Sequence, residues 1–295
     1  MTASKTRLFA CAALVLGAVG SPALAAEPLK VIASFSILGD LVTQVGGDHV
    51  AVRTLVGPNG DAHVYELTPA DARDTAAAGL VVVNGLGFEG WLDRLVEASG
   101  YSGPVAIVSD GVTPLRLEGA ADPHAWQSVA NTEIYVKNIV TALCAADAAD
   151  CSDYEANGAA FLAELGALDA SIKSGVAAIA SEKRKVITTH DAFAYFAHEY
   201  GVEFLAPQGV STDSEASAGD VARLIEQIRH EGVSAIFVEN ISDPRLIQQI
   251  AAETGIELGG ELYSDALSES GGPAATYLDM MRHNASLLQS AMLGS

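Results

Sequence analysis

The side chains able to do chemistry in this chain are mostly imidazoles. Of seven histidines, three stand in turn-rich segments or at the ends of apolar runs. His63 comes after the turn Gly57-Pro58-Asn59-Gly60, His124 lies in Asp122-Pro123-His124-Ala125-Trp126, and His190 directly follows Val186-Ile187-Thr188-Thr189. Asp265, in Leu262-Tyr263-Ser264-Asp265-Ala266-Leu267, stands just past the last apolar run and adds a carboxylate. Imidazole nitrogens with one carboxylate form a tetrahedral set suited to Zn²⁺, which binds nitrogen at ~2.0–2.1 Å and brings no d-electron geometry of its own. His49, His198, His230 and His283 read as helix or helix-end residues beside charged neighbours and stay outside the set. The separations between positions 63, 124, 190 and 265 are far too long for a local finger motif. Only a fold that gathers loops from both halves of the chain brings these residues together.

Such a fold is legible in the apolar runs. Val31-Ile32-Ala33, Val52 to Val56, Leu80 to Val83 and Val105 to Val108 recur with helix-like stretches between them. A second series follows at Val186 to Thr189, Phe204-Leu205, Ala235 to Val238 and Glu261-Leu262-Tyr263, with helical patterns at Ala192 to Tyr200, Gly219 to His230 and Pro244 to Thr254. That rhythm predicts an α/β protein with parallel sheets. Asp243 before Pro244 is a good helix start, a cap followed by a proline whose missing N–H costs nothing there. Between the two series, Phe161, Leu165, Leu168, Ile172, Val176 and Ile179 keep helical spacing without proline, which predicts one long helix from Tyr154 to Ala180. Gly158, Gly166 and Gly175 weaken it, by up to ~1 kcal/mol each relative to Ala. Segments Gly57 to Asp61, Leu117 to Pro123 and Gln208 to Gly219 are turn-rich and follow strands, where ligand sites collect in open α/β sheets.

The N-terminus reads as an address. Lys5 and Arg7, the apolar run Leu8 to Val19 and a small-residue site at Ala23-Leu24-Ala25 make a secretory signal peptide. The run is short of the ~20 residues a membrane span needs, and it follows Cys11 instead of preceding it, which argues against lipidation at Leu8-Phe9-Ala10-Cys11. Cleavage leaves Cys144 and Cys151, an even pair that suggests one disulfide in an oxidising compartment. Seven residues of straight helix rise ~10.5 Å, beyond the ~7 Å Cα limit of a disulfide, so the chain must turn near Asp147 to Asp150. Losing Lys5 and Arg7 deepens the formal charge from −21 to −23. An acid excess of that size excludes a nucleic-acid role, which needs a basic stripe. With 49% hydrophobic residues the chain is too apolar to be disordered. The expected organisation is a signal peptide over 1–26, an N-terminal α/β lobe over 27–152, a bridging helix over 153–182 and a C-terminal α/β lobe over 183–295.

Several motifs now converge on one resemblance. Gly57-Pro58-Asn59-Gly60-Asp61-Ala62-His63-Val64-Tyr65-Glu66, Asp122-Pro123-His124-Ala125-Trp126, Thr189-His190-Asp191-Ala192-Phe193-Ala194-Tyr195-Phe196 and Gln208-Gly209-Val210-Ser211-Thr212 resemble the metal-specific substrate-binding proteins of bacterial ABC transporters, over essentially the whole mature chain. The resemblance implies two α/β lobes bridged by a rigid helix, with the metal held in the cleft between them by His63, His124, His190 and Asp265. It implies a periplasmic monomer without catalysis of its own, which captures Zn²⁺ and passes it to a permease at the inner membrane. Members that resemble manganese carriers tend to have glutamate in the third place, and His190 there favours zinc by ligand softness. Thr113 to Ala121 contains no histidine, so a His-rich metal-gathering loop is absent from that stretch. Loading then falls to the acidic segment near Asp213 and Glu215 or to a periplasmic metallochaperone. Glu66, Asp191 and Glu239 are candidate hydrogen-bond partners for the ligand imidazoles, and Trp126 and Phe193 are expected to wall the cleft.

The competing readings are a manganese or iron carrier of the same family, a secreted zinc hydrolase and a binding protein for an organic solute. Against the hydrolase, no His-Glu-x-x-His helix is present, and Asp265 would take the position a reactive water needs. Against an organic solute, such a cleft favours aromatic and hydrogen-bonding walls over clustered metal ligands.

Overall fold

The computed structural model describes residues 27–117 and 119–294. The signal peptide and Cys11 lie outside the described residues.

The chain begins with β1 (Leu29–Phe35), α1 (Ser36–Gly46), β2 (Val50–Val56), α2 (Pro69–Ala76), β3 (Leu80–Val83), α3 (Leu92–Ser99) and β4 (Val105–Ile107). These strands form one parallel sheet in the order β2-β1-β3-β4. β3, Leu80-Val81-Val82-Val83, is buried along its whole length, as a strand covered by helices on both faces must be. Next come a two-stranded antiparallel pair, β5 (Arg116–Leu117) and β6 (Ala120–Ala121), then α4 (Val129–Ala146) and α5 (Cys151–Ala177). Part of the segment expected as an irregular loop is therefore a hairpin, its turn passing through Gly119 at φ 89°. The chain continues with β7 (Lys185–Ile187), α6 (Ala194–Tyr200), β8 (Glu203–Leu205), α7 (Ala218–His230), β9 (Ala235–Glu239), α8 (Arg245–Thr254), β10 (Leu258–Leu262) and α9 (Tyr277–Leu293). A second parallel sheet has the order β10-β9-β7-β8. The α/β class with two parallel sheets flanked by helices is the one expected.

Helix α5 starts and ends three residues before the helix read from the sequence, and both ends have local causes. Cys151, its first residue, is disulfide-bonded to Cys144 in the last turn of α4, with Cα atoms 4.5 Å apart. The chain reverses through Asp147, whose φ of −142° breaks the helix. At the far end the Arg184 guanidinium donates to Ile179 O at 2.6 and 2.9 Å, satisfying a carbonyl beyond the last turn. Gly158 belongs here for contact rather than flexibility: a Cβ at that position would lie 2.5 Å from Val140 of α4. α8 likewise starts one residue later than expected, with Asp243 Oδ1 accepting the Arg245 N–H at 3.0 Å.

One large core runs from Val31 and Val82 of the first sheet through Ile37, Val136, Leu165 and Met281 of α1, α4, α5 and α9 to Val186 and Phe237 of the second. A smaller core of Ile187, Leu224, Ile228, Ile236, Ile247 and Ile250 lies beneath α7 and α8. Among the described residues no helix is long and apolar enough to cross a membrane.

Candidate metal centre

Each of the first two histidines is set by a local turn that the sequence encodes. In Asp61-Ala62-His63 the His63 N–H donates to Asp61 Oδ1 at 2.9 Å, and in Asp122-Pro123-His124 the His124 N–H donates to Asp122 Oδ1 at 3.0 Å. These side-chain-to-backbone turns hold both rings at defined positions beyond β2 and β6. Tertiary hydrogen bonds pin the same loops: Trp91 Nε1–H donates to Ala62 O at 2.8 Å, and Asn84 Nδ2–H to Pro123 O at 2.9 Å. His190 follows β7, and its N–H and that of Thr189 donate to Glu239 Oε1, at the end of β9, at 3.0 and 2.7 Å. Beyond β10, Trp126 Nε1–H and Gln127 Nε2–H both donate to Ser264 O, at 2.9 and 2.7 Å, fixing the backbone beside Asp265.

The structure brings His63, His124, His190 and Asp265 together, their ligand atoms all within 4.8 Å of one another. His63 Nε2 lies 3.2 Å from His124 Nε2 and 3.3 Å from Asp265 Oδ2. His190 Nε2 is 3.2 Å from Asp265 Oδ2, and His124 Nε2 is 3.7 Å from Asp265 Oδ1. A tetrahedron with bonds of ~2.0–2.1 Å has edges of about 3.3–3.4 Å, so the spacing suits an ion at the centre. His190 Nε2 and both Asp265 oxygens are buried without a hydrogen-bond partner. They are close to neighbours but off the hydrogen-bond axis, and once His190 gives up its Nε2 proton their lone pairs converge on a cation.

The outward ring nitrogens face carboxylates. Asp122 Oδ1 is 2.8 Å from His124 Nδ1, and Glu239 Oε2 is 2.6 Å from His190 Nδ1, the latter off hydrogen-bond alignment. A carboxylate there keeps the proton on Nδ1 and leaves the Nε2 lone pair for a metal. Without an ion the site holds its charge as a coupled cluster. Burial alone pushes the His190 imidazolium down, but Glu239 and Asp265 together raise it well above the usual histidine range. Burial likewise pushes Asp265 up, and His124 and His190 outweigh it, holding the carboxyl well below the ordinary carboxylate range.

The remaining sequence expectations divide. Glu239 contacts a ligand ring, whereas Glu66 is exposed and no hydrogen bond or ion pair joins it to the three histidines. Asp191 is half-buried, its N–H donating to Gly209 O at 3.2 Å. Trp126 packs beside His124 with ring centroids 5.3 Å apart, but Phe193 stacks on Phe204 at 4.9 Å rather than on the histidine rings. The missing wall is Phe88, edge-on to His63 at 4.8 Å. It is carried by Asn84-Gly85-Leu86-Gly87-Phe88-Glu89, which leaves β3 with Gly85, Leu86 and Gly87 all at positive φ. Glycines directly after a buried strand were the available signal. For Asp122, likewise not expected as a ligand partner, the signal was the Asp-x-His spacing it shares with Asp61.

The family model for ZnuA, zinc-uptake complex component A, periplasmic, matches residues 31–291. The chain belongs to this family. It is 32% identical to the iron-binding protein YfeA of Yersinia pestis over 269 residues, covering 90% of this chain and 86% of the relative. It is 33% identical to the manganese-binding lipoprotein MntA of Halalkalibacterium halodurans over 268 residues, covering 90% and 89%. Among solved structures, the periplasmic zinc-binding protein TroA of Treponema pallidum superposes with a TM-score of 0.87 at 30% identity, over 90% of this chain and 99% of that one. This family member is thus a metal-binding, substrate-binding component of an ABC transporter, a class that works with a membrane permease.

Proposed function

We propose that His63, His124, His190 and Asp265 bind one Zn²⁺, which the protein captures outside the cytoplasm and delivers to an ABC-type permease. The observation that carries this reading is the convergence of buried, unpartnered His190 Nε2 and Asp265 oxygens with two further imidazole nitrogens at 3.2–3.7 Å edges. A donor set with three neutral imidazoles is softer than one rich in carboxylates and favours zinc over manganese. Similarity to a protein named as zinc-binding supports the same ion. Export through residues 1–26 and a periplasmic location belong to the proposal, as does a division into lobes over 27–152 and 183–295 around the bridging segment 153–182.

A second reading, manganese or iron as the cargo, is favoured by the relatives named for those ions. Competition titration of chelator-stripped protein with Zn²⁺, Mn²⁺ and Fe²⁺ separates the two. Zinc as cargo requires one tight zinc per chain, weaker manganese and iron, and a loss of at least 100-fold in His190→Ala. Manganese or iron binding tighter than the Irving–Williams order allows would move the assignment to the second reading, and no saturable binding would remove both.

A further inference from the structure

The ligand side chains are sealed: His124, His190 and Asp265 expose none of their surface and His63 exposes 5%. A cation therefore reaches them only when a covering contact opens. Besides the backbone bond from the Asn59 N–H to Leu267 O at 3.0 Å, two side-chain contacts near the centre join the loop after β2 to the second half of the chain. The Thr212 hydroxyl donates to Asp61 Oδ2 at 2.6 Å, and Asn240 Nδ2–H donates to Asn59 Oδ1 at 3.0 Å.

Beside the first contact lies a cavity of about 510 Å³, whose lining includes Asp61, Thr189, Gln208, Thr212 and Glu215 and the N-terminal end of α8. It adjoins the centre on two sides, because Thr189 precedes His190 and Asp61 stands two residues before His63. Arg245 also lines it, but Asp243 grips that guanidinium with both oxygens, at 2.8 and 3.0 Å from Nε. Asp61 and Glu215 add two further carboxylates to the lining against this single guanidinium, whose charge also reaches Glu215. Independently of the acids, Thr189 is 2% exposed and its hydroxyl has no hydrogen-bond partner, so a buried polar group in the lining lacks a counterpart. Six waters at ~30 Å³ each make a hydrated divalent ion roughly 180 Å³, small enough for this space.

We propose that the cavity is a loading antechamber for a hydrated divalent cation, and that the Asp61–Thr212 contact is the bolt between it and the buried centre. Asp61 suits that position because its other oxygen accepts the His63 N–H, so opening the bolt is felt directly by a ligand loop. The cation sheds water as the imidazoles and Asp265 replace it, and closure of Thr212 onto Asp61 then slows its return. The inference rests on the metal-binding reading above.

Stopped-flow measurements test it, with Zn²⁺ as the probe: uptake by metal-free protein at low and high salt, and release into excess chelator. Thr212→Val, which removes the donor and keeps the shape, is expected to release zinc at least fivefold faster, and Thr212→Ser to release it at the wild-type rate. Glu215→Gln is expected to take up zinc at least twofold more slowly at low salt, with the difference lost at high salt. Release from Thr212→Val at the wild-type rate, or release from Thr212→Ser as fast as from Thr212→Val, overturns the bolt. Uptake by Glu215→Gln at the wild-type rate in low salt overturns the antechamber. Wild-type protein that takes up no zinc removes the binding reading itself, a failure distinct from the other two.

Discussion

Replacing Glu239 by Gln changes one atom and is expected to disable a ligand it does not itself provide. Glu239 Oε1 accepts two backbone N–H groups, from Thr189 and His190, while Oε2 faces His190 Nδ1 at 2.6 Å. In Glu239→Gln those two donors claim the only amide oxygen, which turns the NH₂ toward Nδ1. Nδ1 must then accept, the imidazole proton moves to Nε2, and the atom facing Asp265 loses its lone pair. Binding zinc requires forcing the other tautomer, with two donors opposed in a buried site, at about 1–3 kcal/mol. Loss of a carboxylate partner behind a ligand histidine adds a further 10–100-fold. The affinity should therefore fall at least about 50-fold, about 2.4 kcal/mol, with little change in secondary structure. Chelator competition at pH 7.5 reads the affinity, and ring-nitrogen NMR of the metal-free protein, at a pH above the raised His190 titration, reads the tautomer. A folded Glu239→Gln protein that binds zinc within threefold of wild type, its proton still on Nδ1, would refute this account of how the carboxylate acts.

In the metal-free chain His190 titrates above its unfolded value, so its contribution to stability is complete below ~6.5 and is lost as pH rises through the raised value. Asp265 titrates below its unfolded value, so its contribution is present above ~3.9 and is lost only as pH falls through the lowered one. Zinc must displace the His190 proton, and its apparent affinity should climb about tenfold per pH unit between pH 6 and 8 for each proton released; calorimetry in buffers of different ionisation enthalpy counts those protons, and a flat profile contradicts histidine ligation. Breaking Cys144–Cys151 by the double Ser variant frees a short loop, with a sequence separation of 7, and should cost about 2.5 kcal/mol in the chain-entropy model, lowering Tm by roughly 5 °C. An unchanged Tm would mean that the α4–α5 reversal is held by its packing alone.

Much of the architecture was legible because parallel strands buried on both faces must be continuous apolar runs, and Leu80 to Val83 or Ala235 to Val238 can be little else. Element ends were less legible. The start of α5 is set by a covalent bond to α4 and its end lies just before carbonyls that Arg184 reaches from outside the helix. Among the candidate partners, Glu66 and Glu239 are the same residue type beside equally suggestive neighbours. Only the pairing of β9 with β7 puts Glu239 behind His190, while Glu66 faces solvent. Phe88 faces His63 while Phe193 turns to Phe204 for the same reason, since which ring faces a site depends on packing between distant segments.

By itself the sequence determined what local chemistry can determine: the run lengths of the strands, the Asp-x-His turns that aim His63 and His124, the even cysteine pair and the types of ligand on offer. Those are short-range matters, decided by sterics and hydrogen bonds within a few residues. Tertiary structure decided which donors meet. Positions 63, 124, 190 and 265 converge because two sheets around one core bring loops from both halves of the chain to one place. Burial there removes the water that would otherwise satisfy Asp265 and His190, which makes a cation their fitting partner.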